Sequence, residues 1–162
     1  MVPAHLLSSY LNDHLAAATA SVALFERTTQ NFRDTPWADE LRFLTEDVTA
    51  DREAWLRAME TLGVGASRAK QVVGLVGERL GRFKPNGSLF HRTPMTDLVE
   101  LEGLRIAVAT KINALQVLRA IAVQDPRLAK ETVETLLERA QDQAERLYRL
   151  HLQVAQELSV AA

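Results

Sequence analysis

Residues 95–123 limit the fold more than any other stretch of the chain. At 100° per residue, Leu98, Leu101, Leu104, Val108, Ile112 and Leu115 share one stripe, the core-facing side of an amphipathic helix. Val99, Gly103, Ile106, Thr110, Val117 and Ile121 share the opposite side. Thr110 is the polar member there, and its hydroxyl can bond back to its own helix. A helix that is apolar on two sides is expected to be covered on both. Small residues on the far side (Gly103, Ala107, Thr110, Ala114) would let a second helix approach closely. The expected cover is either the chain's own connector or the same helix of a second subunit, and a homodimer is the expected assembly.

Three further long helical patterns accompany it. Residues 3–31 carry Leu7, Leu11, Leu15, Val22 and Phe25 on one stripe, with His14 inside it. Residues 36–62 carry Trp37, Leu41, Leu44, Val48, Trp55 and Met59, with Asp51 inside the stripe and Asp47 at its edge. Residues 126–158 carry Val133, Leu136, Ala140, Leu147, Leu150 and Val154, with Gln143 and His151 among them. Thr35-Pro36, Thr93-Pro94 and Asp125-Pro126 read as helix starts, each a capping residue followed by a proline suited to the first turn. Gly63-Val64-Gly65 reads as a helix end. A shorter helix is expected over residues 68–83, followed by a loop over 84–88. No period-two strand pattern occurs.

This makes the chain all-α, a single domain over residues 1–162. The connections set its topology. Those between the first and second helices and between the third and fourth are short, so each pair is expected to be antiparallel. The connection between the second and third is long, and its helix would span roughly 24 Å at about 1.5 Å per residue. The extended part adds up to about 30 Å more, enough to cross the bundle from end to end.

Composition closes off other classes. With 47% apolar and 25% charged residues, the 162-residue chain has the balance of a globular domain. The absence of cysteine excludes disulfides and thiolate metal sites. No window has the apolar length of a membrane span, and the first residues lack the pattern of a signal peptide, so a cytoplasmic location is expected. The net charge is −2, but residues 67–92 carry six Arg or Lys against Glu78, or +5, which leaves −7 elsewhere. A basic helix can meet nucleic acid or an anionic membrane. A connector held on an acidic bundle is the preferred reading here.

Polar residues inside apolar stripes carry the functional question. His14, Asp47, Asp51, Glu102, Arg105, Gln143 and His151 come from all four helices. In the crossover topology they fall within roughly 15 Å along the axis. Metal binding would use two Glu-x-x-His pairs and two further Glu. However, Val2, Leu11, Ser88 and Tyr148 stand three residues before the four histidines. A structural network is therefore expected, with Arg105 or His14 answering Asp51. No metal or cofactor is expected. No nucleophile or phosphate-binding loop accompanies the histidines, and the reading leans away from an enzyme.

The stretches Tyr10-Leu11-Asn12-Asp13-His14-Leu15 and Glu100-Leu101-Glu102-Gly103-Leu104-Arg105, with the four-helix pattern, resemble small bacterial members of the ferritin-like bundles. The resemblance implies a ferritin-like four-helix bundle, and the short helix expected over residues 68–83 would lie in its crossover. The expected role is non-catalytic, through self-association or a protein partner. The alternative is a metal- or small-ligand-binding bundle using His14, Asp51 and His151.

Overall fold

The computed structural model describes residues 2–66 and 93–160, which form four α-helices: α1 (Ala4–Asn31), α2 (Ala38–Thr61), α3 (Pro94–Ala122) and α4 (Lys130–Val160). The expected helix at 68–83, the loop at 84–88 and the basic connector 67–92 lie outside the described residues. Among the described residues there is no strand, and no helix is long and apolar enough to cross a membrane.

Each helix end has a local cause. Gly63 adopts φ +67°, and its N–H donates to Glu60 O at 2.9 Å while Val64 N–H donates to Met59 O at 2.9 Å. This double return is the left-handed stop that glycine makes cheap. The turn then runs to Gly65, whose carbonyl accepts from Asn12 Nδ2 of α1 at 3.2 Å. α3 starts at the expected Thr93-Pro94, where Thr93 N–H donates to Thr96 Oγ1 at 3.3 Å and the two hydroxyls meet at 3.1 Å.

The other two starts lie later than the sequence suggests. Phe32 O accepts both the N–H and the hydroxyl of Thr35, at 3.0 and 2.7 Å, so residues 32–37 form a turn and α2 begins at Ala38 rather than Pro36. Asp125 accepts from the guanidinium of Arg127 at 2.8 and 2.5 Å and from its backbone N–H at 3.3 Å. That turn tucks Leu128 into the core and delays α4 to Lys130, not Pro126. Arg127 also reaches Val2 O at 2.9 Å, and its contact holds the Asp125 carboxyl well below the usual carboxylate range.

Helix directions follow from who meets whom. Asn31, at the end of α1, donates to Glu100, near the start of α3, and Leu24 packs on Gly103. α1 and α3 are therefore antiparallel. The core divides along the axis into two apolar clusters. One joins Leu7 and Leu11, Trp55 and Met59, Leu115 and Leu118, and Val133 and Leu136. The other joins Phe25 and Phe32, Leu41 and Leu44, Leu101 and Leu104, and Leu147 and Leu150. Number runs upward from the first cluster to the second in α1 and α4, and downward in α2 and α3. Thr61 and Pro94 consequently stand at opposite ends of the bundle. The closest pairings are α3 with α4 and α1 with α2, and α1 with α3 is looser.

A Cβ added at Gly63 or Gly65 meets nothing within 4 Å, so substitution there tests backbone conformation alone. Gly63→Ala is expected to cost about 1–2 kcal/mol, and Gly65→Ala less than about 0.5 kcal/mol, as read by urea denaturation.

Candidate functional site: a buried charge layer opening on a cleft

Between the two apolar clusters lies a polar layer. On α2, Asp51 separates Val48 from Trp55. On α3, Lys111 separates Val108 from Leu115. On α4, Gln143 separates Ala140 from Leu147. All three meet: Lys111 Nζ donates to Asp51 Oδ2 at 2.7 Å, Gln143 Nε2 donates to the same oxygen at 2.8 Å, and Lys111 also donates to Gln143 Oε1. Asp51 is only 4% exposed and Gln143 1%. Arg139 Nη2 lies 3.0 Å from Asp51 Oδ1 but off the hydrogen-bonding direction, so that oxygen has a charge contact and no hydrogen bond among the described residues. Burial pushes the Lys111 ammonium down from its ordinary value, and the Asp51 carboxylate opposes that push.

The layer continues to the surface between α2 and α4. Arg146 donates to Glu40 and to Asp47, both at 2.8 Å, and Arg139 reaches Asp47 O at 3.5 Å. These residues repeat at helical spacing on each helix (Glu40, Asp47 and Asp51 facing Arg139, Gln143 and Arg146), so an acidic face meets a basic one.

The seven polar residues singled out from the sequence thus divide into three groups. Asp51 and Gln143 join directly, with Asp47 beside them through Arg146 and Arg139. Glu102, Arg105 and His151 form a separate group between α3 and α4: Arg105 Nη1 lies 2.8 Å from His151 Nδ1, His151 Nε2 lies 3.8 Å from Glu102, and the guanidinium sits 5.3 Å from the Tyr148 ring. His14 belongs to neither. Its ring is 4.4 Å from Tyr10 and 6.0 Å from Trp55. The expectation that Arg105 or His14 answers Asp51 is therefore corrected, since Lys111 and Arg139 do so. Lys111 was legible in principle: Leu101, Leu104, Val108, Lys111, Leu115 and Leu118 follow alternating steps of three and four, with the lysine at a core position. The 100° wheel assigned that place to Ile112.

The layer opens on one side. A cleft of about 1080 Å³ runs between α1 and α3, lined on α1 by Ala17, Ser21 and Leu24 and on α3 by Val99, Gly103, Ile106 and Ala107. Its inner wall includes Val48, Asp51 and Trp55 of α2, and Lys111 and His14 also line it. From Thr93 to Ala114 it follows α3 for roughly 30 Å, at about 1.5 Å per residue. The opening exists because small side chains face each other where two helices pass loosely. Val99 and Ile106, on the α3 face expected to be covered, are 65% and 68% exposed. Thr110 donates to Ile106 O at 3.0 Å as expected, and Val117 is also exposed.

Among the described residues no three of His, Asp and Glu converge as a metal-binding set. Asp51 faces Lys111 and Arg139 instead, and two cations beside one carboxylate repel a divalent ion. Searches of family models, curated proteins and solved structures found no match to the chain.

Two measurements probe the layer. Lys111→Met is expected to cost about 2–4 kcal/mol by leaving Asp51 buried with only its α4 partners. Arg105→Met, at the more open α3–α4 group, should cost less than about 1 kcal/mol, and equal losses in chemical denaturation would contradict this division. Burial also lowers the His14 imidazole below its ordinary 6.5, against the opposing charge of Asp13. The unfolded chain therefore binds this proton at higher pH than the folded one, and stability is lost as pH falls from 6.5 through the folded value. His14→Gln is expected to flatten the stability profile in that window.

Proposed function

We propose that the chain is a non-catalytic, ferritin-like binding bundle that takes an elongated, largely apolar molecule into the α1–α3 cleft. The observation that carries this reading is the cleft itself, apolar along its length and reaching the buried Asp51–Lys111 pair at its inner wall. Small-molecule sites are concave, mostly apolar, supplied with a few convergent polar groups, and about 300–1,000 Å³ in volume. At about 1080 Å³, the cleft lies just above that scale. The ferritin-like assignment draws support from the parallel course of α2 and α3, whose joined ends lie at opposite ends of the bundle. The residues do not fit the di-metal centre known in such bundles: among those described no three of His, Asp and Glu converge, and Lys111 and Arg139 flank Asp51.

Self-association through the same face is the second reading. Met95, Val99 and Ile106 are each at least 65% exposed there, more apolar surface than a lone helix face usually leaves bare. In that reading the homodimer, or a protein partner, buries the α3 stripe.

Trp55 lines the cleft and reports on it. Titration with an uncharged apolar fluorophore is expected to give saturable binding at one site per chain, with quenching of Trp55. Gly103→Leu should abolish it by filling the trough, with urea denaturation checking that the fold is kept; a Cβ there meets only Leu24 at 3.7 Å and leucine favours the helix. Absent or non-saturable binding, together with a dimer by sedimentation that Ile106→Arg dissociates, would replace the ligand reading with the assembly one.

A further inference from the structure

The inner end of the cleft has a chemical preference. A lysine ammonium carries three N–H donors. In Lys111 one goes to Asp51 of α2, which itself lines the cleft, and one to Gln143 of α4. The side chain nevertheless lines the cleft, so the third donor is available to an acceptor arriving from that side. Asp51 is the single carboxylate in contact with both Lys111, at 2.7 Å, and Arg139, at 3.0 Å. Arg52, another lining residue, donates to Thr19 at 3.0 Å and meets Glu53 at 3.0 Å on the outer side of α2. An anionic group brought to Lys111 would accept the third N–H, while a cationic one would be repelled by the ammonium.

The rest of the cleft limits what can carry that group. Ala17, Ser21, Gly103 and Ala107 form a trough of small side chains, flanked by Leu24, Val99 and Ile106. A trough of roughly 30 Å along α3 suits a long unbranched chain better than a broad ring system. Towards Thr93 the cleft is lined by Arg27, Glu100 and Glu102, which offer no net attraction for a second anionic end.

From this we infer that the ligand is a long-chain monocarboxylate, a fatty acid, with its carboxylate on the third donor of Lys111 and its chain laid between α1 and α3 towards Thr93. The inference rests on the reading of the cleft as a ligand site. A carboxylate accepting from a sparsely hydrated ammonium forms the stronger, charge-assisted kind of hydrogen bond. Each methylene buried along the trough adds to affinity independently of the head group.

The test compares dodecanoic acid, tetradecanoic acid and dodecan-1-ol on the full chain by Trp55 fluorescence, below their aggregation thresholds. Dodecanoic acid is expected to bind about tenfold or more tightly than the alcohol of equal length. Affinity should rise roughly three- to fourfold for each added methylene. Lys111→Met, or Lys111→Gln if the first variant does not fold, should remove the preference for the acid and leave the chain-length dependence. The head-group comparison on the unaltered protein stands even if neither variant folds. Equal binding of acid and alcohol would overturn the fatty-acid inference while leaving the cleft as an apolar site. No binding of either would overturn the cleft reading and the inference together. Acid binding that persists in Gly103→Leu would place the ligand elsewhere and overturn the inference as well.

Discussion

Asp51 is the constraint on which the rest of this bundle turns. A carboxylate with 4% exposure has lost most of its water, at a cost of several kcal/mol that only close partners offset. Those partners come from two other helices, Lys111 from α3 and Gln143 and Arg139 from α4. Sliding either helix by one turn, about 5.4 Å, would leave the charge buried and unanswered. The apolar clusters on either side supply most of the stability, but leucine, valine and phenylalanine tolerate alternative registers. The polar layer makes one register far better than its neighbours.

The same arrangement explains where the bundle is open. α1 gives no charged group to the layer; it is held to α2 by Trp55 donating to Leu11 O at 3.1 Å, Arg52 to Thr19 at 3.0 Å and the Thr29–Thr45 pair at 2.8 Å. Its contact with α3 relies on alanine, serine and glycine, which are too small to fill the space left between two helices positioned by other contacts. The result is a cleft whose inner wall is the back of the charge layer. Lys111 belongs to both features: it anchors α3 to its neighbours and lines the cleft.

Much of this is legible in the sequence. Helical periodicity identified four long helices, and Gly63 and Thr93-Pro94 set two of their ends through chemistry local to a few residues. Pro36 and Pro126 misled because Thr35 and Asp125 direct their side chains into turns, to Phe32 O and to Arg127, instead of capping the helix that follows. Asp51 and Gln143 stood out as polar interruptions of apolar stripes. Lys111 did not, since a lysine between two stripes on a wheel normally reads as solvated; only its place in the alternating three- and four-residue steps marks it as a core position.

The sequence by itself determined the helices, their apolar stripes and the presence of polar groups midway along them, because periodicity and turn chemistry act over a few residues. Only the tertiary structure decided which cation answers which carboxylate and which helix pair stays open. Both depend on the rotation and spacing of whole helices, set by the simultaneous packing of all four. Arg105 and Lys111 are separated by six positions on one helix, yet one is drawn to His151 and the other to Asp51. The α3 pattern sets Lys111 at a core position, but which partner each cation meets belongs to the helices facing it.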